Sequence, residues 1–94
     1  MASYLARVEL HNATYDDYEV LHAAMQRRGF SRTIASDEPR TYRLPTGTYV
    51  AENTSATLEH AYTAAEAAAR EVRKTYWIIV VDWTSARFSL ELGR

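Results

Sequence analysis

The first residues of the chain alternate between apolar and more polar positions. Tyr4, Ala6, Val8 and Leu10 fall on one side of the segment, and the other side has Leu5, Arg7, Glu9 and His11. A period of two is typical of a half-buried β-strand. The polar side predicts a sheet that is covered on one face only, as antiparallel sheets can be.

The next segment carries the start and stop signals of a helix. Asn12 or Thr14 can cap the first turn, and the acidic residues that follow at 16, 17 and 19 offset the positive end of the helix dipole. Basic residues occupy the last turn, and Gly29 can take the positive φ that ends a helix. We expect Phe30 to fold back onto this helix.

The middle of the chain predicts two further strands. Residues 32–36 are predicted to form the second strand, and the polar residues 37–40, which contain a proline, are predicted to form a turn. The third strand starts at residues 41–44 and resumes at 48–51. Its interruption at 45–47 contains a proline, which cannot donate a ladder hydrogen bond, so a bulge or a short loop is expected there.

Residues 56–74 are rich in strong helix formers and follow a group of capping residues at 53–55. The apolar stripe of this second helix comprises Leu58, Ala61, Tyr62, Ala65, Ala68, Ala69 and Val72. Residues 76–81 are aromatic and β-branched and predict a fourth strand, buried on both faces or paired with a covering element. Residues 87–92 alternate again and predict a fifth strand in a hairpin with the fourth.

These elements follow the order β-α-β-β-α-β with an additional C-terminal strand. That order predicts an α+β fold of the ferredoxin-like type, a split β-α-β sandwich with both helices on one face of the sheet. With 94 residues, the chain is expected to form a single domain over residues 1–94.

Composition narrows the function classes. The formal net charge is −1, which gives no indication of nucleic-acid binding. The sequence contains no cysteine, and this excludes disulfides, thiolate metal sites and thiol catalysis. His11, His22 and His60 are not at helical spacing from one another, and no glycine-rich phosphate loop is present. We therefore expect no metal and no cofactor. The longest apolar run is too short to span a bilayer and no secretory signal is recognised, so a cytoplasmic protein is expected.

An arginine-rich segment runs from the end of the first helix into the third strand, with tyrosines close by. Its members are Arg27, Arg28, Arg32, Arg40, Arg43, Tyr42 and Tyr49. Arginine pairs with phosphates and aromatic rings stack on bases, so this combination on a sheet is typical of proteins that hold single-stranded RNA. The alternative is a solvated hairpin whose aromatic residues serve the core.

Four segments carry a resemblance to a known family. They are residues 4–10 (YLARVEL), 21–25 (LHAAM), 29–34 (GFSRTI) and 42–49 (YRLPTGTY). They resemble the GhoS-type endoribonuclease antitoxins of type V toxin–antitoxin systems and related small bacterial and phage proteins. The resemblance covers the first 55 residues or so, and beyond them it depends on the order of the elements.

The resemblance implies a ferredoxin-like fold and cleavage of single-stranded toxin mRNA with little dependence on metal. It also implies a functional arginine on the first helix, directly after a leucine and three residues before a methionine. That position is His22 here. Histidine can transfer a proton or bind phosphate, but it lacks the permanent charge and the bidentate geometry of arginine.

Two functions are predicted. The first is an antitoxin-like RNA-interacting protein, including the hypothesis of a single-strand-specific endoribonuclease that acts on toxin mRNA; whether the chain is an enzyme stays open. His22 and Arg28 are its predicted catalytic residues. Its predicted RNA-binding residues are Arg27, Arg32, Arg40, Arg43 and Tyr42. The alternative is a non-catalytic protein-interaction or inhibitor module, with a protein partner or a homodimer formed through a sheet edge. No membrane partner is expected.

Overall fold

The computed structural model describes residues 2–35 and 41–83 and shows an α+β fold. The elements in chain order are β1 (Ala2–Leu10), α1 (Tyr15–Arg27), β2 (Thr33–Ala35), β3 (Thr41–Arg43), β4 (Thr48–Thr54), α2 (Leu58–Val72) and β5 (Tyr76–Asp82). Neither helix in these residues is long and apolar enough to cross a membrane. The predicted strand at 87–92 lies outside the described residues.

Within the described residues, the main sheet has three antiparallel strands in the order β4-β1-β5, with β1 in the centre. Leu5 lies opposite Val50 of β4 and Val81 of β5. Since side chains alternate along a strand, these three residues lie on one face, called here the outer face. Tyr4 and Ala6 lie on the other, inner face. The predicted first strand and its alternation are confirmed.

The predicted third strand is wrong in one respect, because its two halves belong to different sheets. β3 pairs with β2 in a two-stranded antiparallel sheet, and β4 pairs with β1. Gly47 lies between them with φ of 86°, and its carbonyl accepts a hydrogen bond of 2.7 Å from the amide of Val8. A Cβ at Gly47 would lie 2.5 Å from the Val8 carbonyl oxygen, so this close approach requires glycine.

The signals predicted for α1 are confirmed at both ends. Thr14 and Asp17 form a capping box, in which each side chain accepts a hydrogen bond from the backbone amide of the other. The hydrogen bond that the Thr14 amide donates to the Asp17 carboxylate lowers the pKa of Asp17, and the positive charge of Lys74 acts in the same direction. At the other end the amide of Gly29 donates to Gln26 and that of Phe30 to the carbonyl of Met25, which is a Schellman motif.

Helix α2 is shorter than predicted at both ends. Thr57 is its N-cap and accepts a hydrogen bond from the amide of His60, whereas Arg73 takes a left-handed conformation and ends the helix after Val72. The buried stripe consists of small residues and Val72, so α2 can lie close to its neighbours. Leu58 and Tyr62, which were expected in that stripe, are exposed.

The core has two parts, one on each face of the main sheet. The inner cluster lies between β1, β4 and the two helices; its larger buried members are Tyr4, Val8, Leu10, Leu21, Met25, Phe30 and Tyr49. The outer cluster is small and contains Ile34, Leu44 and Val50, with Leu5 packed against it. Since Ile34 belongs to β2 and Leu44 directly follows β3, the hairpin β2–β3 covers part of the outer face.

Strand β5 is confirmed in position, but the first of its two alternatives, burial on both faces, is wrong. The second alternative, pairing with a covering element, concerns residues outside those the structure describes. Trp77, Ile79 and Val81 lie on the outer face and are 68%, 59% and 40% exposed. We call these three residues the outer stripe. Strand propensity is high for such residues whether or not a second layer covers them, so propensity alone could not show this exposure.

Candidate functional site

An open pocket of about 620 Å³ lies beside the C-terminal half of α1. It is called the His22 pocket and is lined mainly by Glu19, His22, Gln26, Phe30, Ser31 and Arg32. The helical members recur at spacings of three and four, which places them on one face of α1. The Schellman motif turns the chain back after Gly29, so the segment that follows the helix forms the opposite wall.

One side of the His22 ring is anchored to the core. Its Nδ1 lies 2.6 Å from the hydroxyl oxygen of Tyr49, which is fully buried on β4. The two rings are tilted by 57° with centroids 5.7 Å apart, and the ring of Tyr18 lies 6.3 Å from that of His22. The Nε2 atom makes no hydrogen bond within the described part of the chain.

Burial favours the uncharged forms of both His22 and Tyr49. Desolvation lowers the pKa of His22 below its ordinary value, and the positive charge of Arg32 acts in the same direction, whereas Glu19 opposes both. Burial likewise raises the pKa of the Tyr49 hydroxyl well above its ordinary value. At neutral pH the pair therefore consists of an uncharged imidazole and a protonated phenol.

Arg32 brings a positive charge to the same pocket. Its backbone carbonyl accepts a hydrogen bond of 2.7 Å from Leu44, which fixes the chain where it enters the hairpin. Its guanidinium makes no ion pair or hydrogen bond within residues 2–35 and 41–83. The structure thus brings together two of the predicted functional residues, His22 and Arg32.

The other two helix arginines are paired. Arg27 and Arg28 each lie 2.6 Å from a different carboxylate oxygen of Glu71 on α2, and Arg28 also donates to the carbonyl of Ala24. These contacts connect the ends of the two helices. Arg28 lines a different cavity of about 110 Å³, not the His22 pocket. A phosphate contact by either arginine stays a prediction, and it would have to compete with Glu71.

The remaining predicted residues belong to the hairpin. Tyr42 pairs through its backbone with Ile34, and Arg43 pairs with Thr33 at the end of the same ladder. Arg43 is exposed and already has an interaction partner. Arg40 lies outside the described residues. The arginine-rich segment is therefore divided among a paired helix end, the pocket and the hairpin.

Two residues of the site were not predicted to act in it. Glu19 lies one helical turn before His22 on the pocket face, and its acidic neighbours suggested dipole compensation instead. Tyr49 was noted only as an aromatic near the arginines. The alternation of residues 48–51 could have placed Tyr49 on a buried face, but its partner on α1 depends on how the helix packs on the sheet.

No group of three or more metal-ligating side chains converges anywhere in residues 2–35 and 41–83. Comparison of the chain with protein-family models, with curated proteins and with solved structures found no match in any of the three searches.

Proposed function

We propose that this protein is an antitoxin-like, RNA-interacting protein that holds a phosphate of single-stranded RNA in the His22 pocket. The observation that carries the proposal is the meeting of His22 and Arg32 in one open pocket. An uncharged imidazole and a guanidinium that has no carboxylate partner in residues 2–35 and 41–83 suit an anionic oxygen, and the pocket volume suits a nucleotide.

A ferredoxin-like arrangement is part of the proposal. An antiparallel bridge joins Ser31 to Val50 and brings the chain before β2 alongside β4. Taken with the main sheet, this bridge supports a spatial order of β5-β1-β4-β2, in which the chain leading into β2 takes the fourth place and α1 and α2 lie on the inner face. The split β-α-β pattern has this order when β3 is treated as an insertion that forms the hairpin with β2.

Cleavage of RNA is the stronger form of the proposal. Attack of a 2′-hydroxyl on the adjacent phosphate develops negative charge on the phosphate oxygens, and Arg32 stabilises that charge if the phosphate lies in the pocket. A group that accepts the hydroxyl proton is also required. Glu19 and His22 line the pocket and are the candidates.

Binding of RNA is tested with a matched pair of arginine variants. Fluorescence anisotropy with a single-stranded RNA of mixed sequence measures affinity across a series of salt concentrations. Arg32→Gln is expected to weaken binding about tenfold, since it removes a charged hydrogen bond to phosphate, and to reduce the salt dependence. Arg70→Gln makes the same charge change at an α2 residue that is paired with Glu66 and does not line the pocket, and it is expected to leave affinity within about twofold.

Equal effects of the two substitutions would contradict the assignment of the pocket. Absence of RNA binding by the unmodified protein at low salt would contradict the proposed function as a whole. Cleavage is tested separately by incubating U- and A-rich single-stranded RNA with the protein in the presence and absence of EDTA. If His22→Ala cleaves as fast as the unmodified protein, His22 has no role in the chemistry.

The outer stripe favours a second candidate, a protein-interaction module. Trp77, Ile79 and Val81 are adjacent, exposed and apolar, and β5 is an edge strand of the main sheet within the described residues. Exposed apolar edge strands are frequent sites of pairing with another chain. A change of mass on Trp77→Ser substitution, measured by light scattering, together with absence of RNA binding, would favour this candidate.

A further inference from the structure

The hydroxyl proton of Tyr49 needs an acceptor. Tyr49 has no exposed surface, so water cannot take that hydrogen bond. Its hydroxyl makes one hydrogen bond in residues 2–35 and 41–83, and the partner atom is Nδ1 of His22. A buried donor without an acceptor is strongly unfavourable, so the phenol donates and Nδ1 accepts.

We infer that Tyr49 holds His22 in the tautomer that carries its hydrogen on Nε2, so that the imidazole offers the pocket an N–H donor and no lone pair. A neutral imidazole has one protonated nitrogen, and acceptance at Nδ1 places the proton on Nε2. Tyr49 is thus a positioning residue, which acts on a ligand only through His22.

The competing protonation states each leave the phenol without an acceptor. The opposite tautomer would place a hydrogen on Nδ1, which would then donate to the Tyr49 oxygen while the phenolic proton faced the core. The doubly protonated ring would do the same and add a buried positive charge beside Arg32. Among the charged groups of residues 2–35 and 41–83 that act on the ring, Glu19 favours that charge, and burial and Arg32 outweigh it.

The tautomer of His22 deepens the proposed function, and the choice of phosphate as the ligand rests on that function. An N–H donor next to the Arg32 guanidinium fits an anionic phosphate oxygen. The same ring can accept a proton at Nε2 only in the opposite tautomer, in which the Tyr49 hydrogen bond is reversed and the phenolic proton has no acceptor. His22 is therefore a phosphate-binding donor and not a general base. If RNA is cleaved in this pocket, Glu19 is the group left to accept the 2′-hydroxyl proton.

The tautomer is measured directly on the unmodified full chain, without RNA. Long-range ¹H–¹⁵N correlation spectra of histidine-labelled protein at pH 7.5 distinguish protonated from unprotonated ring nitrogens. The signals of His22 are assigned by their loss in His22→Gln, and those of His11 and His60 serve as internal references. We expect a protonated Nε2 and an unprotonated Nδ1. A protonated Nδ1 would overturn the inference.

Tyr49→Phe tests whether the Tyr49 hydroxyl is the cause of the His22 tautomer. It removes the donor and keeps the ring, so the His22 nitrogens are expected to move toward the averaged shifts of two exchanging tautomers while His11 and His60 stay unchanged. Unchanged His22 shifts would show that Tyr49 does not set the tautomer. If this variant does not fold, the spectrum of the unmodified protein still decides the tautomer.

The role as a donor to phosphate is tested with His22→Gln and His22→Ala in the RNA-binding assay. Glutamine keeps an N–H donor near the position of Nε2 but cannot act as a base, so binding is expected to stay within about threefold, while His22→Ala loses more. Equal loss in both would contradict the donor role. The spectra need no RNA, so a failure of RNA binding leaves the tautomer result standing and overturns only the proposed function.

Discussion

The two faces of the main sheet arise from similar alternating strands but are covered very differently. On the inner face, Tyr4, Ala6 and Val8 of β1 lie beneath both helices and are buried. On the outer face a short hairpin covers one end through Ile34 and Leu44, and the outer stripe of β5 is exposed. The difference shows that alternation defines two faces of a strand, while the elements packed on the sheet decide which of them is buried.

The two faces also differ in chemistry. The inner face holds the hydrogen-bonded pair of Tyr49 and His22, so it both supports the fold and fixes the side chain of a candidate site residue. The outer face has His11 edge-on to Trp77, with ring centroids 4.6 Å apart, and its apolar residues are in contact with solvent. Substitutions on the inner face should therefore change stability and the site together, and those on the outer stripe should change neither.

The largest expected effect is truncation of Leu21, which is fully buried between α1 and the sheet. Leu21→Ala should lower the free energy of unfolding by about 4 kcal/mol, and Ile34→Ala in the small outer cluster by about 2 kcal/mol, since fewer neighbours surround the cavity there. Urea unfolding followed by circular dichroism measures both. Equal losses would contradict the view that the inner cluster dominates.

The next effect concerns the turn that separates β3 from β4. Gly47→Ala should lower stability by about 3 kcal/mol, because it combines a positive φ with a contact of 2.5 Å between the new Cβ and the Val8 carbonyl oxygen. Gly29→Ala is the matched control, with φ of 88° and no atom within 4 Å of the new Cβ. It should cost about 1 kcal/mol. Similar costs would show that the Val8 contact relaxes easily.

Removal of the Tyr49 hydroxyl should have a moderate effect. Tyr49→Phe leaves Nδ1 of His22 without its buried partner and is expected to lower the free energy of unfolding by about 1.5 kcal/mol. Thermal unfolding measures the change. A neutral or stabilising result would show that water reaches Nδ1 in the variant or that the hydrogen bond contributes little.

The outer stripe should contribute least to the free energy of unfolding. Trp77→Ser removes an exposed ring and its edge contact with His11, so stability should change by about 0.5 kcal/mol or less. The same urea titration checks this expectation. A loss as large as that of Leu21→Ala would show that the outer stripe is covered in solution, and the comparison of the two faces would fail.

The pH dependence of stability should distinguish His22 from the exposed face. Because its pKa in the folded protein lies below the ordinary value of 6.5, the unfolded chain takes up the proton first as pH falls. The neutral His22 therefore makes its full contribution to the free energy of unfolding above pH 6.5. This contribution is lost as the pH falls through the lowered pKa of His22 in the folded protein. His22→Gln should show a shallower decline of unfolding midpoint over that range; an unchanged slope would contradict the assigned burial.

Much of the fold could be predicted where the signal is local. Helix α1 is specified by Thr14 at one end and Gly29 at the other, and both act within a few residues. The split between β3 and β4 could not be predicted in the same way. Its cause is the hydrogen bond between Gly47 and Val8, two residues that are distant in the chain.

In the candidate site, too, local signals could be predicted and contacts between distant residues could not. His22 and Arg32 were predicted from residue type and from a family resemblance, and the structure places both in one pocket. Arg27 and Arg28 were grouped with them, but their proximity to Glu71 depends on the packing of α1 against α2. Sequence spacing contains no information about such a pair.

By itself, the sequence determined the helices, the strand β1 and the candidate chemistry of a histidine among arginines, because capping, alternation and charge are properties of neighbouring residues. Only the tertiary structure decided which face of β5 is exposed, which arginines are paired and which nitrogen of His22 contacts Tyr49. Each of these depends on residues that are far apart in the chain. The contact between Tyr49 and His22 is the clearest case, since it joins a strand to a helix across the inner cluster.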